Sequence, residues 1–600
     1  MVELNRVQSL VASPGKKRAA FTFYKYTIDG DQEASNIRFF DIDEPENVRN
    51  ATDFDIDSSD DEPVWLDESN IAFTAKRNNA SETNIYVVNV DTGNQYQLTN
   101  FSTSVSGLIY SPTANVIAFT APVFQGLGLE ETAKTLESIS SAPAHGKIYD
   151  TLYVRHWDTW LDGTKSQLFA LPLTKRAGQY GVSGDPQNLV SSYPGSWGLE
   201  PYDYSFSKDG QTIVFAASIP GRDEAWSTRA NIFTVPVHDD SQTQPFSLNS
   251  ESIGGCSSPT FSPNGTYIAW LQMSRPNNGN DQNRIMLYST VAAETKCLVP
   301  QWSLSPDNIQ FSESGQHLLI VVEEEGDTRL YRLDVDSGNL EQLTTDGTVQ
   351  MPIEIAGGSM MFMYNTAQSS NEIMRMTIND SGVSTELIST FNTDTLSHVW
   401  MSPPTRFYFT GALGDRVQGV LYRPYGFNMS RTYPLAFIIH GGPYGSSGNH
   451  WSWRWNQDIF ANQGFVVVEI NFHGSTGFGQ AFADAVRFQW GGHPFEDLMK
   501  GLNYVTRTYS FIDTNRMAAL GASYGGYMIT WMLGQTTPFK AYVCHDGEFS
   551  SYSTFFSTDE IGFDEHESGL PWDVDGMATY ERWDPRRYVG RWNTPTLVIH

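Results

Sequence analysis

The chain has 600 residues, 40% of them hydrophobic, 13% aromatic and 18% charged; that is a globular composition, too long for one core and sized for two to four domains at roughly 100–200 residues each. No apolar run approaches the roughly 20 residues needed to span a bilayer. With 68 acidic against 38 basic residues and a net charge of −30, neither a nucleic-acid partner nor an anionic lipid surface is expected.

The three cysteines, Cys256, Cys297 and Cys544, do not make a disulfide framework or a zinc site and are expected as unpaired buried thiols, with a Cys256–Cys297 pair the alternative. No metal and no cofactor is expected. Residues 1–23 lack the apolar core of a signal peptide, so a cytoplasmic location is expected, with secretion the alternative if further sequence precedes Met1. The six Asn-x-Ser/Thr sequons, among them Asn79, are no more than chance supplies in this length. Nothing in the sequence sets the oligomeric state.

A unit recurs through residues 11–397. A Ser-Pro or Asp/Ser-Gly turn is followed by an apolar strand, a polar loop, a second strand and a polar exit. Phe206-Ser207-Lys208-Asp209-Gly210, Phe261-Ser262-Pro263-Asn264-Gly265 and Phe311-Ser312-Glu313-Ser314-Gly315 are the clearest copies. Earlier copies centre on Ser13, Asp67 and Ser111, and a degenerate one carries Gly357-Gly358. Units of about 40–50 residues rich in short strands indicate propeller blades. Each blade has two apolar faces that it cannot bury alone, and a closed ring buries them. Seven units fit, so residues 1–398 are expected to form a seven-bladed β-propeller; a pair of β-sandwiches is the alternative. The interval from 111 to 207 holds an insertion at 126–150 and the aromatic stretch 153–160. Trp157 and Trp160, with Arg155 and His156, are expected to pack blade ends, with the lining of a substrate passage the alternative. The acidic runs 55–62 and 323–325 are expected as solvated loops.

From about residue 399 to residue 600 the pattern changes. Segments 407–409 and 417–422 read as an antiparallel pair, and 435–439, 465–470, 517–520, 541–544 and 596–599 as buried strands. Segments 458–463, 495–509 and 524–533 read as helices, with Leu498, Leu502 and Val505 on one face. Apolar strands alternating with helices predict a doubly wound, mostly parallel sheet covered on both faces.

The chemistry sits at Gly521-Ala522-Ser523-Tyr524-Gly525, a G-x-S-x-G between a strand and a helix. The flanking glycines admit a sharp turn that lifts the Ser523 hydroxyl off the sheet. The Tyr524 amide opens the helix, where donors are free and the dipole favours negative charge. That makes half of an oxyanion hole. His440-Gly441-Gly442-Pro443 follows the 435–439 strand, where the second donor belongs, and the Gly442 amide is the choice. His440 is expected to shape that loop. A serine nucleophile needs a base and an orienting acid, which in this architecture follow it in the order Ser, Asp or Glu, His. His440, His450, His473 and His493 come too early. His545 has no acid between itself and Ser523, and His566 falls in an insertion-like stretch at 559–575. His600 ends the chain directly after the strand 596–599, so the acid and base are expected beyond it and the catalytic unit is expected to be truncated.

With these residues the chain resembles the prolyl oligopeptidase family of serine peptidases, in its acylaminoacyl-peptidase and dipeptidyl-peptidase V branch. The resemblance runs over the whole chain and is carried by His440 to Pro443, by Asn471 with Gly474-Ser475-Thr476-Gly477-Phe478-Gly479, by Trp490-Gly491-Gly492 and by Gly521 to Tyr527. Val543-Cys544-His545-Asp546-Gly547 and the Arg155 to Trp160 stretch resemble the fungal dipeptidyl-peptidase V group. The resemblance implies a seven-bladed propeller capping an α/β-hydrolase domain, nucleophile Ser523, oxyanion donors Tyr524 and Gly442, and short peptides as substrates, with release of N-terminal dipeptides foremost. An acylaminoacyl peptidase, a carboxylesterase, and an inactive truncated propeller acting as a binding module are the alternatives. An exopeptidase must also hold a free amine; Asp559 and Glu560 are candidates, though expected as solvated loop charges.

Overall fold

The computed structural model describes every residue except 55–58, 78–79, 196–197, 239–242, 380–381 and 536. Part of the acidic run 55–62 and the Asn79 sequon therefore lie outside the described residues.

The first part of the chain is a series of antiparallel meanders, each turning back on the strand just made. Arg6–Ala12 begins one that ends at Glu44–Asn50, and Asp61–Trp65 begins one that ends at Gln95–Gln97. Further meanders begin at Ser106–Ser111, Pro201–Phe206, Cys256–Phe261, Pro306–Phe311 and Thr348–Glu354. The last two share one sheet through a single parallel bridge, Thr328 to Thr348. The recurring turn lies between the first and second strand of its meander, and its geometry explains why it could be read from sequence. At Ser207, Ser262 and Ser312 the serine hydroxyl accepts the amide five residues on, at 3.0, 2.9 and 3.1 Å. The glycine three residues on donates to the serine carbonyl with φ near +70°, a conformation that favours glycine.

Each meander packs its apolar faces on its neighbours. Phe39 and Ile37 of the first meet Trp65, Ile71 and Phe73 of the second. The series closes on itself: Thr348–Glu354 contacts Arg6–Ala12, Asn371 Nδ2 donates to the Val7 carbonyl at 3.1 Å, and Asn5 and Asn392 exchange hydrogen bonds of 2.8 and 2.7 Å. A cavity of about 950 Å³ runs along the middle, lined by residues from the first strand of every meander, including Val11, Glu62, Gly107, Tyr204, Ser258, Gln310 and Met351. Between the strands Val116–Val123 and Lys165–Arg176 lie the helix Leu129–Ser140 and a small hairpin, Arg155–His156 with Thr159–Trp160.

A seven-stranded sheet follows. In spatial order its strands are Thr405–Thr410, Arg416–Tyr422, Val466–Asn471, Tyr433–Ile439, Ile512–Ala522, Ala541–His545 and Thr596–Ile599. The first two run antiparallel to their neighbours, and the rest are parallel. The helix His493–Thr508 turns Leu498, Leu502 and Val505 onto the sheet. The strand expected at 517–520 begins at Ile512 instead; its polar start, Asp513 to Arg516, hides a strand whose first residues flank a turn.

The two parts meet through polar groups, which corrects the expectation that 323–325 is a solvated loop. Glu323 accepts hydrogen bonds from the hydroxyls of Ser446 and Thr476. Glu325 accepts from Tyr408 at 3.1 Å, and its amide donates to the Gly477 carbonyl at 3.0 Å. Arg275 forms a two-pronged pair with Asp484 at 2.8 and 3.0 Å. Asp60 and Glu62 are also engaged, by Arg77 at 2.6 Å and by the Gly107 amide at 2.8 Å. All three cysteines are free. Among the described residues no helix is long and apolar enough to cross a membrane.

Backbone meets backbone where Gly448 faces Gly326: a Cβ on Gly448 would lie 1.9 Å from the Gly326 carbonyl oxygen. Gly448→Val is therefore expected to wedge the two parts open. Thermal melting should fall by several degrees, and limited proteolysis should cut near residues 397–404 faster than in the parent.

Candidate active site

The register of two parallel strands builds the site. Ile439 pairs with Gly521, so both strands end at the same level and at the same end of the sheet. One exit is the loop His440 to Ser447; the other is the turn at Ser523.

Ser523 has φ 55° and ψ −120°, a conformation L residues rarely adopt, and its side chain is exposed. Such a residue costs of order 1–3 kcal/mol and persists only where its surroundings enforce it. Here they do. The Ser523 amide donates to the His545 carbonyl at 3.0 Å on the next strand, and its carbonyl accepts from the Tyr527 amide at 2.9 Å. The helix Tyr524–Leu533 is buried along its whole length. The turn is also too tight for side chains: a Cβ on Gly525 would lie 2.2 Å from the Ile439 carbonyl oxygen, and one on Gly521 would lie 2.4 Å from that of Gly525.

Gly441 lies directly against this turn, with its Cβ position 3.4 Å from Ser523 Cβ. The loop carrying Gly441 and Gly442 thus faces the serine, and Gly442 itself has φ 124°. The Tyr524 amide is the first of its helix, where N–H groups lack intrahelical acceptors. The three residues expected at the site, Ser523, Tyr524 and Gly442, therefore sit at one end of two neighbouring strands.

The loop is held by the other motif residues. His440 Nδ1 donates to the Gly441 carbonyl at 2.7 Å, and its Nε2 accepts from Ser475 Oγ at 2.9 Å. Its ring stacks on Phe472 at 4.2 Å. Burial pushes its pKa down to about 4, so the ring stays neutral. Asn471 brackets Ser447, accepting its amide and donating to its carbonyl, each at 2.8 Å. The Thr476 amide donates to the Gly445 carbonyl at 3.0 Å. His473 is wholly buried between Asp497 at 2.6 Å and Asp415 at 3.1 Å; burial alone would lower its pKa, but the two carboxylates raise it.

Among the described residues no histidine nitrogen hydrogen-bonds Ser523 Oγ. Nor is there a group of His, Cys, Asp and Glu suited to a metal ion. The stretch 559–575, read as an insertion, contains the helix Ile561–Ser568, which packs against the loop: Phe563 meets Tyr444 and Trp490. Asp559 is not a solvated charge. It accepts from Arg155 at 3.0 Å and from the Trp157 amide at 2.7 Å, and Trp157 Nε1 reaches Glu560 at 3.3 Å. The 155–160 hairpin thus docks across onto the parallel-sheet part rather than packing blade ends. Sequence spacing gave no sign of this pairing, since its partners are some 400 positions apart.

The tight packing at the turn gives a stability prediction. Gly525→Ala is expected to cost about 2–3 kcal/mol by forcing backbone apart. Gly590→Ala, where a Cβ meets nothing within 4 Å, should change stability by less than about 0.5 kcal/mol. Denaturant unfolding midpoints of the two variants check this.

Comparison with known proteins agrees with this arrangement. Residues 451–600 match the Prolyl oligopeptidase family. Dipeptidyl-peptidase 5 of Schizosaccharomyces pombe is 30% identical over all of this chain and 86% of its own length. Probable dipeptidyl-peptidase 5 of Emericella nidulans is 33% identical over all of this chain and 85% of its own. Among solved structures, an acylaminoacyl peptidase in complex with Z-Gly-Gly-Phe-chloromethyl ketone superposes with a TM-score of 0.79 at 16% identity, over all of this chain and 86% of that one. The fold shared with such neighbours is a β-propeller joined to an α/β-hydrolase domain. Fold, site and relatives converge: the chain belongs to the prolyl oligopeptidase family and is a serine-type peptidase.

Proposed function

We propose that Ser523 is the nucleophile of a peptidase that removes dipeptides from the N-termini of short peptides through an acyl-enzyme. The observation that carries this reading is the exposed serine in a left-handed turn at a helix N-terminus, faced by the Gly441-Gly442 loop. Ser523 Oγ attacks the scissile carbonyl carbon as a histidine takes its proton. The carbonyl oxygen gains negative charge, and the amides of Tyr524 and Gly442 receive it. Fixed donors aimed at a developing oxyanion are worth about 10²–10³ in kcat each. The amine leaves with the proton returned by the histidine, and water then releases the acylated serine by the same steps in reverse.

We infer that the triad acid and base lie beyond His600. The reading is supported by the chain covering 85–86% of the fungal relatives' length and by His440 and His473, whose ring nitrogens are both engaged by other groups. We infer also that residues 1–398 form seven propeller blades and 399–600 the hydrolase domain; the meander starts and the axial cavity support that count. Dipeptide release is favoured over the removal of acylated residues by the names of the relatives at 30–33% identity.

In a chain extended past His600, a fluorophosphonate is expected to label the parent, and Ser523→Ala to abolish labelling. A free dipeptidyl-anilide should be cleaved with a kcat/KM at least about tenfold above an N-acetylated aminoacyl-anilide. Labelling that survives Ser523→Ala would falsify the nucleophile assignment. A preference for the acetylated substrate would replace dipeptide release with acylaminoacyl removal.

A further inference from the structure

Glu567 ends a chain of contacts that the peptide chemistry has not used. It lies near the end of the helix Ile561–Ser568, and its side chain is wholly buried. Burying a carboxylate is strongly unfavourable unless its lone pairs are filled. Three donors fill them. Tyr444 Oη donates to Oε1 at 2.6 Å, His566 Nδ1 donates to the same oxygen at 3.0 Å, and Trp490 Nε1 donates to Oε2 at 2.9 Å. The backbone is fixed as well: the Phe488 amide donates to the Glu567 carbonyl at 2.9 Å.

Two of these donors lead to the oxyanion donors. Tyr444 stands two residues after Gly442 in the loop facing the serine. The Trp490 carbonyl accepts the Tyr524 hydroxyl at 2.6 Å, and the two rings meet edge to face at 5.1 Å. One buried carboxylate therefore ties the loop of one oxyanion donor to the side chain of the other. The helix bearing it is seated from the propeller side too. Gly562 packs on Trp226, where a Cβ would lie 3.2 Å from the Trp226 backbone, and the preceding residues are clasped by Arg155 and Trp157.

We propose that Glu567 is a positioning residue for the oxyanion hole: by holding Tyr444 and Trp490 together it sets the spacing of the Gly442 and Tyr524 amides. This rests on Ser523 and those two amides forming the reacting centre. A glutamine at 567 fills the same volume but must turn an NH₂ toward one of the three donors, and a donor facing a donor is repelled. A displacement of about 1 Å at a reacting centre costs about 10²-fold in rate, so a partial loosening should cost about 10–100-fold.

The test uses the intact enzyme with Glu567→Gln, Tyr444→Phe and the double variant, and Ser523→Ala as the blank. Tyr444→Phe removes only a hydroxyl and leaves Glu567 paired with His566 and Trp490. For each single variant kcat on a dipeptidyl-anilide should fall about 10–100-fold, with KM within about twofold. Affinity for a dipeptidyl aldehyde, which binds as a tetrahedral adduct, should fall by the same factor, while affinity for the product dipeptide stays within about twofold. The double variant should be no more than about threefold worse than the poorer single one, because both break one linkage. A kcat within twofold of the parent for Tyr444→Phe overturns the proposal. So does a loss confined to KM, an equal loss of aldehyde and product affinity, or effects that multiply in the double variant. Parent labelling that survives Ser523→Ala instead overturns the serine reading, and is seen before any Glu567 variant is made.

Discussion

The site depends on one steric contact, the Gly525 backbone against the Ile439 carbonyl oxygen. Two neighbouring parallel strands end at the same level, and their continuations must leave in different directions through the same small space. Only a chain without Cβ atoms at 521 and 525 can turn there. Once it does, Ser523 has no freedom to relax to φ < 0, because its amide is tied to the His545 carbonyl and the helix that follows is buried on all sides. The strain of roughly 1–3 kcal/mol is met by the packing of that helix. What the strain secures is exposure: Ser523 stands open to solvent directly before the first amide of the helix.

The same economy of space explains the loop opposite. Asn471, Ser475 and Thr476 come from the strand end on the other side of Tyr433–Ile439 and hold residues 440–447 by side-chain and main-chain hydrogen bonds. Each removes a buried polar group that would otherwise cost 1–3 kcal/mol unpaired. The loop is thus rigid before substrate arrives, which is the condition under which backbone donors stabilise an oxyanion without reorganising.

Much of this was legible in the sequence, for definite reasons. The meander turns announce themselves because a serine hydroxyl must reach an amide five residues on and a glycine must take φ near +70° three residues on; Ser207, Ser262 and Ser312 show both. The turn at Ser523 is legible because its glycines answer a local steric demand. The acidic residues were misread. Glu323, Glu325 and Asp559 carry the signature of solvated loops, and only the fold brings Ser446, Thr476, Tyr408 and Arg155 to them. Glu567 was missed for the same reason: beside its neighbour His566, its donors lie at positions 444 and 490, and no local pattern links them to it. Local sequence encodes what the backbone must do within a few residues. It is silent on which polar group a buried charge will meet.

Net charge conceals a second distinction among the histidines. A general base must have one ring nitrogen free to accept a proton and the other held by an acid. His440 has both nitrogens occupied and is neutral through burial. His473 lies between two carboxylates and is cut off from the serine by its own burial. His545 offers its carbonyl to the Ser523 amide, but its ring lies against Trp455, with Nε2 3.0 Å from Asp546. His566 holds Glu567 through Nδ1. Among the described residues none of these rings hydrogen-bonds Ser523, and their contacts hold the loops and strand ends around it.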